Sequence, residues 1–207
     1  MNKVFFDTEF IEGSISKKGV IGYVQRFLHR RGIIKLPWSI QLVSIGLVFE
    51  HGKGIYLLNK DFNPHDADQW VRDNVLAKLP PRKTPHRGFP HIELDTPEWK
   101  SLSEIRDILI YELDGTDNEF WTYYAAYDWV VFCSIFGRMI DLPKGYPMFC
   151  MDLKQLMESK GLTKEWKQAV CPDPVGEHDA LVDAKWNKKL YDIIAEREAA
   201  LNTNSAK

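Results

Sequence analysis

The residues with the clearest chemical potential lie near the start of the chain, where two carboxylates interrupt an apolar stretch. Asp7 and Glu9 are two positions apart, among neighbours that predict a buried strand. Side chains alternate between the faces of a strand, so both carboxylates point to the same side. Buried like charges repel and lose hydration, and a divalent cation that prefers oxygen ligands removes both costs. A strand end with one carboxylate in water is the alternative.

Three further titratable residues lie where elements are predicted to begin. Asp128 lies between a strand candidate over 119–124 and an apolar helix over 130–136, where it could also be a helix N-cap. His178 and Asp183 are five residues apart, so on one regular helix they would point about 140° apart. They can share a site only if His178 lies in the loop before the last helix and Asp183 in its first turns. The alternatives are an exposed loop histidine and an acid favoured by the helix dipole.

The composition is that of an ordinary folded domain. The 207 residues, 44% of them hydrophobic, predict one domain over 1–200 and a polar, disordered tail over 201–207. The net charge of −2 does not by itself indicate a nucleic-acid partner. It does not exclude one either, because cations bound at an acidic site would supply positive charge locally. Cys133, Cys150 and Cys171 are odd in number and widely spaced, which indicates reduced thiols and no zinc site. Without a membrane-spanning run or a secretory pattern, we expect a soluble cytoplasmic protein.

The elements that must position these residues follow from the apolar periodicity. Strands are predicted at the start of the chain, over 38–50 and over 55–58, with a turn at 51–54 that makes the opening strands antiparallel. Helices are predicted over 66–79, from a capping box at 101–104, over 130–136 and 152–160, and from the loop after 176 to about residue 200.

Two segments are basic. The segment 13–37 contains no acidic residue, places Tyr23 and Phe27 among its cations with rough helical spacing, and carries Lys17, Lys18, Arg26, Arg30, Arg31 and Lys35. This pattern suits contact with a polyanion, and a solvated arm or an oligomer contact is the alternative. The proline-rich loop 80–97 carries a second cluster at Arg82, Lys83, His86 and Arg87, which would contact a partner or only cover the surface.

The order of these motifs carries a family resemblance. Asp-x-Glu on the first strand, a mid-chain aspartate and His-x₄-Asp before the last helix resemble the histidine-bearing (DEDDh) branch of the 3′–5′ exonucleases. The tyrosine branch would need tyrosine where this chain has Asp179. Longer blocks resemble the polyadenylate-specific exoribonuclease AS family, at 7–12, 43–46, 70–72, 78–80, 114–117, 126–128 and 178–184. Relative to that pattern, 13–37 is an insertion.

The resemblance implies a fold and a mechanism. The fold would be α/β, with a ribonuclease H-like mixed sheet whose opening strands are antiparallel and later strands parallel, flanked by helices. Two divalent cations, Mg²⁺ or Mn²⁺, would be held by Asp7, Glu9, Asp128 and Asp183, and His178 would accept a proton from the attacking water. The expected reaction releases nucleoside 5′-monophosphates from the 3′ end of single-stranded RNA, and a homodimer is expected.

Substrate selectivity is assigned to residues beside the carboxylates. Phe10, Tyr127 and Trp129 are candidate faces for a terminal base, with a core role as the alternative for each. Glu12 could accept a hydrogen bond from an adenine amino group or be a surface acid. Adenylate preference stays open because the insertion follows this motif directly. Three other functions stay open: a DNA 3′–5′ exonuclease, a non-catalytic nucleic-acid-binding module, and a hydrolase of small nucleotides.

Overall fold

The architecture is a mixed sheet flanked by helices, in a computed structural model that describes residues 2–81, 99–114 and 117–205. The described strands are β1 (Asn2–Ser14), β2 (Trp38–Phe49), β3 (Gly54–Asn59), β4 (Trp99–Lys100), β5 (Asn118–Thr122) and β6 (Met151–Asp152). The described helices are α1 (Gly19–Arg30), α2 (Gln69–Asn74), α3 (Leu102–Leu113), α4 (Ala125–Phe136), α5 (Leu153–Ser159), α6 (Lys164–Val170) and α7 (Ala180–Ser205).

The sheet has the strand order β4-β3-β2-β1-β5-β6. The pairs β1–β2 and β2–β3 are antiparallel, whereas β3–β4, β1–β5 and β5–β6 are parallel. This confirms the predicted ribonuclease H-like mixed sheet with antiparallel opening strands. The order also places β1 inside the sheet, so the strand that carries both early carboxylates is paired on both sides.

The two faces of β1 pack against different helices. Phe6 belongs to a core cluster with residues of α3 and α4, such as Leu109 and Phe132. Phe5 belongs to a second cluster, which includes Leu190 of α7. Because side chains alternate along a strand, the odd-numbered carboxylates Asp7 and Glu9 project from the face that α7 covers. Burial of these aromatic and aliphatic side chains stabilises the sheet that positions the carboxylates.

Several predicted element bounds are corrected by the structure. The helix predicted over 66–79 is instead two short 3₁₀ turns, Pro64–Asp66 and Leu76–Lys78, with α2 between them. The break has a local cause, because the Asp68 carboxylate accepts the amide of Val71 at 2.8 Å and starts α2 there. The helix predicted over 130–136 begins at Ala125, and α6 was not predicted.

The chain end also differs from the prediction. The last helix was predicted to end near residue 200 and to be followed by a disordered tail, but α7 continues to Ser205. The predicted basic cluster at Arg82, Lys83, His86 and Arg87 lies outside the described residues. Among the helices that the structure describes, none has the length and hydropathy needed to cross a membrane.

Candidate active site

A cleft of about 820 Å³ lies where β1 meets the beginnings of α4 and α7. The structure places all five predicted catalytic residues in its lining: Asp7, Glu9, Asp128, His178 and Asp183. Three of the four predicted substrate-binding residues, Phe10, Glu12 and Tyr127, line the same cleft. The residues that sequence spacing could only group by motif order are therefore neighbours in space.

The start of α7 is held directly against the sheet. Asp7 faces Gly46 in the β1–β2 register, and a Cβ atom on Gly46 would overlap the backbone carbonyl of Ala180. The buried amide of Asn187 also donates to the Phe6 carbonyl at 2.9 Å, which ties α7 to β1 one residue before Asp7. These contacts fix how closely the acids of α7 approach the acids of β1.

Asp128 lies inside the first turn of α4 and is not its N-cap. Its Oδ1 atom accepts hydrogen bonds from the Thr8 amide at 2.9 Å and from the Thr8 hydroxyl at 2.5 Å. Burial raises the pKa of Asp128 to about 6, even though the two bonds from Thr8 act to lower it. Thr8 therefore orients this carboxylate from the strand position between the other two acids.

His178 lies in the loop before α7, and Asp183 in the helix's first turn, as the spacing of the two residues required. The backbone of His178 has a φ of 67°, in the left-handed region that non-glycine residues rarely adopt. Its amide donates to the Asp183 Oδ2 atom at 2.8 Å. The Asp179 carboxylate accepts the amides of Leu181 and Val182, each at 3.0 Å, and so caps the helix.

The carboxylates of the cleft are buried close to one another, which makes their ionised forms unfavourable. Burial, followed by repulsion from Asp183 and Asp128, raises the pKa of Glu9 to about 8. Burial and the charges of Asp128 and Glu9 raise the pKa of Asp7 well above its ordinary value. Burial likewise raises the pKa of Asp183 to about 6. A bound cation would offset this repulsion and the lost hydration.

Three of these residues can share one cation. Ligand atoms of Glu9, His178 and Asp183 all lie within 4.8 Å of one another. Carboxylate oxygens and an imidazole nitrogen suit divalent ions such as Mg²⁺ or Mn²⁺. Asp7 and Asp128 lie in the same cleft but outside this group. The residues present therefore fit a divalent cation, and His178, expected to be a proton acceptor, is also placed where it could be a ligand.

The aromatic residues beside the carboxylates divide into two environments. The rings of Phe10 and Tyr127 are stacked at the cleft, with centroids 5.9 Å apart and an interplanar angle of 4°. The predicted substrate-binding role of Trp129 is corrected, because Trp129 is only 8% exposed and packs against Phe6 and Phe120 in the core. Of the three predicted aromatics, Phe10 and Tyr127 are the two that line the cleft.

Sequence reasoning missed several residues that position the site. Thr8 and Asn187 act through the contacts given above, and Trp70 of α2 packs edge-on against the His178 ring with centroids 4.9 Å apart. Lys164 of α6 is exposed on the rim of the cleft. The placement of Thr8 between two acids was a usable signal. Trp70 lies in the block 70–72 that carries the family resemblance, but no role at the cleft was assigned to it. Lys164 gave no signal, because its proximity to the cleft depends on the tertiary fold.

The fold and the cleft define the class: a ribonuclease H-like α/β protein with an acidic, cation-compatible site. No protein-family model matches the chain. The chain is similar to two 3′–5′ exoribonucleases of Mycobacterium tuberculosis, from strains CDC 1551 / Oshkosh and ATCC 25618 / H37Rv. Each is 34% identical to it over 201 residues, which cover 96% of this chain and 96% of the relative. The chain belongs to the family of these 3′–5′ exoribonucleases.

Proposed function

We propose that the protein is a divalent-metal-dependent 3′–5′ exoribonuclease that removes nucleoside 5′-monophosphates from single-stranded RNA. The observation that carries the proposal is the meeting of Asp7, Glu9, Asp128, His178 and Asp183 in one open cleft. Family membership over 96% of the chain supports the same activity. A module that only bound RNA would gain nothing from burying several mutually repelling carboxylates.

The acids of the cleft would hold two cations. Glu9 and Asp183 would bind one, together with Asp7, and Asp128 would help to hold the second, oriented by its hydrogen bonds from Thr8. When bound, these cations would activate water and neutralise charge on the scissile phosphate. The buried setting strengthens every such interaction, since water screens charges poorly there.

His178 is placed to move a proton. Its backbone is fixed by Asp183 and its ring is held by Trp70, so the imidazole has a defined orientation at the cleft. A neutral imidazole nitrogen can accept the proton that the attacking water would lose. The His178→Ala variant separates this role from metal binding. A proton acceptor predicts lost turnover with unchanged Mn²⁺ affinity, whereas a ligand predicts weakened Mn²⁺ binding.

The stacked rings of Phe10 and Tyr127 would receive the 3′-terminal base. Tyr127 is 50% exposed and lines the cleft. Glu12, exposed on the same lining, could accept a hydrogen bond from an exocyclic amine, which would favour adenine. Lys164 at the rim offers positive charge to a phosphate.

The homodimer expected from the resemblance stays a prediction, which analytical ultracentrifugation tests.

The test measures nucleoside 5′-monophosphate release from matched poly(A), poly(U) and DNA oligonucleotides, with Mg²⁺ or Mn²⁺. We expect release from RNA that is lost in Asp7→Asn and His178→Ala. Glu177→Gln, which removes an exposed acid from the same lining, is the matched control and should retain activity. Release from DNA alone would indicate that the protein is a DNA exonuclease. Metal-dependent RNA binding without release would contradict the proposed function.

A further inference from the structure

A second cavity, of about 410 Å³, lies between α1 and the segment that leads into α2. Its lining contains four arginines, one histidine, two aromatic residues and no acidic residue: Tyr23, Arg26, Phe27, Arg30, Arg31, His65 and Arg72. We propose that this arginine cavity binds backbone phosphates of the RNA upstream of the nucleotide that is cleaved. The inference rests on the proposed function and deepens it, since it assigns a site for the body of the substrate.

The cavity is pre-formed by a polar anchor at its base. The buried carboxylate of Asp66 accepts the Ser16 hydroxyl at 2.6 Å and the Ser16 amide at 3.1 Å. Arg26 donates to the Ser16 hydroxyl at 2.5 Å and lies 3.7 Å from Asp66. These contacts join α1 to the turn before α2, and Asp66 offsets the charge of Arg26. Arg26 is therefore a positioning residue.

The other three arginines retain charge for a ligand. Arg30 and Arg31 are exposed, and the Arg31 guanidinium lies 4.5 Å from the Phe27 ring centroid. Arg72 donates to the carbonyls of Ala67 and His65, at 2.9 Å and 3.2 Å, which orient its guanidinium without neutralising it. No carboxylate in the described part of the chain lies within 4.0 Å of these three groups. Guanidinium groups pair with phosphate in a bidentate geometry.

The aromatic residues favour a nucleic acid over an acidic peptide. Tyr23 is 67% exposed and Phe27 45% exposed, beside the arginines. Single-stranded nucleic acids are bound by this combination, in which cations track the backbone and rings stack on bases. The sequence of the segment predicted a polyanion contact, and the structure adds Arg72 and His65 from a separate segment of the chain.

The arginine cavity lies on a path from the cleft. Helix α2 contacts the active-site His178 through Trp70, and two residues later Arg72 lines the cavity. Five residues of extended strand separate Glu9 in the cleft from Ser14, two positions before the anchor at Ser16, which is about 16 Å at about 3.3 Å per residue. A phosphate bound in the cavity therefore belongs to a nucleotide upstream of the terminal one, so only longer RNA reaches both sites.

The test compares the binding of RNA oligonucleotides of about 4 and about 16 nucleotides, the limits of the site sizes of single-strand-binding OB folds. Fluorescence anisotropy in EDTA measures affinity for the wild type and for Arg30→Gln/Arg31→Gln. Both positions are exposed, so the fold should be retained. Lys17→Gln/Lys18→Gln, which removes the same charge from exposed positions of the same arm outside the cavity lining, is the matched control.

Each phosphate contact contributes about 0.7 to the salt slope, so the loss of two contacts should make the slope smaller by about 1.4. We therefore expect the arginine variant to bind the longer RNA about 25-fold more weakly than the wild type does at 0.1 M salt. Binding of the short RNA should not change. Unchanged affinity for long RNA, or an equal loss in the lysine control, would overturn the inference. A change in self-association without a change in RNA affinity would assign the surface to protein contact and also overturn it.

The inference and the proposed function can fail separately. If short RNA is hydrolysed normally but the arginine variant binds long RNA as the wild type does, the proposed nuclease activity is supported and the inference about the arginine cavity is refuted. If no RNA is hydrolysed but the arginine variant selectively loses affinity for long RNA, the arginine cavity is supported as an RNA-binding site and the proposed nuclease activity is refuted.

Discussion

Replacing Glu9 with glutamine should stabilise the metal-free protein at neutral pH, although the substitution removes a residue of the cleft. Burial and the neighbouring acids raise the pKa of Glu9 from 4.5 to about 8. The folded protein therefore keeps this proton to a higher pH than the unfolded chain does. As pH rises from about 4.5 to about 8, the unfolded chain loses the proton first, so stability falls across that window.

The magnitude follows from the two pKa values. pH 7 lies about 2.5 units above the pKa of the unfolded carboxyl, whereas the folded carboxyl is still mostly protonated, so the loss is about 3 kcal/mol. At pH 5 the same relation gives about 1 kcal/mol. Glu9 alone should therefore cost the metal-free protein about 2 kcal/mol between pH 5 and pH 7. Glutamine cannot ionise, so Glu9→Gln should be spared this loss.

Urea unfolding in EDTA at pH 5 and pH 7 measures the difference. Glu12→Gln, which removes an exposed acid from the same strand, is the control and should follow the wild type. Adding Mg²⁺ at pH 7 should stabilise the wild type and have less effect on Glu9→Gln, because the cation needs the ionised carboxylate. If Glu9→Gln loses as much stability as the wild type between the two pH values, the electrostatic account of the cleft is refuted.

The remaining predictions concern the geometry around the carboxylates. Gly46→Ala should push α7 from the sheet and reduce both activity and stability, by about 1–3 kcal/mol for the latter, as chemical unfolding will show. Gly54→Ala is its control, since a Cβ there meets a Leu181 side-chain atom at 3.4 Å and should be tolerated. Tyr127→Ala removes the ring stacked on Phe10 and should raise KM about 5- to 150-fold if stacking on a base contributes about 1–3 kcal/mol. An unchanged KM would show that the stacked rings do not bind the terminal base. Thr8→Val removes a hydrogen bond that lowers the pKa of Asp128, so the acidic limb of the pH–rate profile should move to higher pH.

The sequence predicted the carboxylate cluster because its spacing has geometric consequences. Two acids two residues apart on a strand share a face, and a histidine five residues before an aspartate must lie outside the helix that holds it. Both expectations are met by β1 and by the loop into α7. The antiparallel opening of the sheet followed for the same reason, since the turn at 51–54 is short.

Other features depended on contacts that no local pattern records. Trp129 follows Asp128 directly, but on a helix the next side chain is turned by about 100°, which carries Trp129 into the core. Within the helix predicted over 66–79, Val75 is buried in a core cluster, and Val71 and Leu79 pack against that cluster. The acids of this segment, however, are engaged elsewhere: Asp66 accepts hydrogen bonds from Ser16, fifty residues earlier, and Asp68 caps α2.

The most direct test of the account follows the fate of a single-stranded RNA labelled at its 5′ end after Mg²⁺ is added to the metal-free protein. We predict a ladder of labelled products that shorten by one nucleotide from the 3′ end, no ladder while EDTA is present, and none with Asp183→Asn. A ladder that persists in EDTA, labelled products from internal cleavage only, or intact RNA in the presence of Mg²⁺ would contradict the claim that this cleft is the active site of a metal-dependent 3′–5′ exoribonuclease.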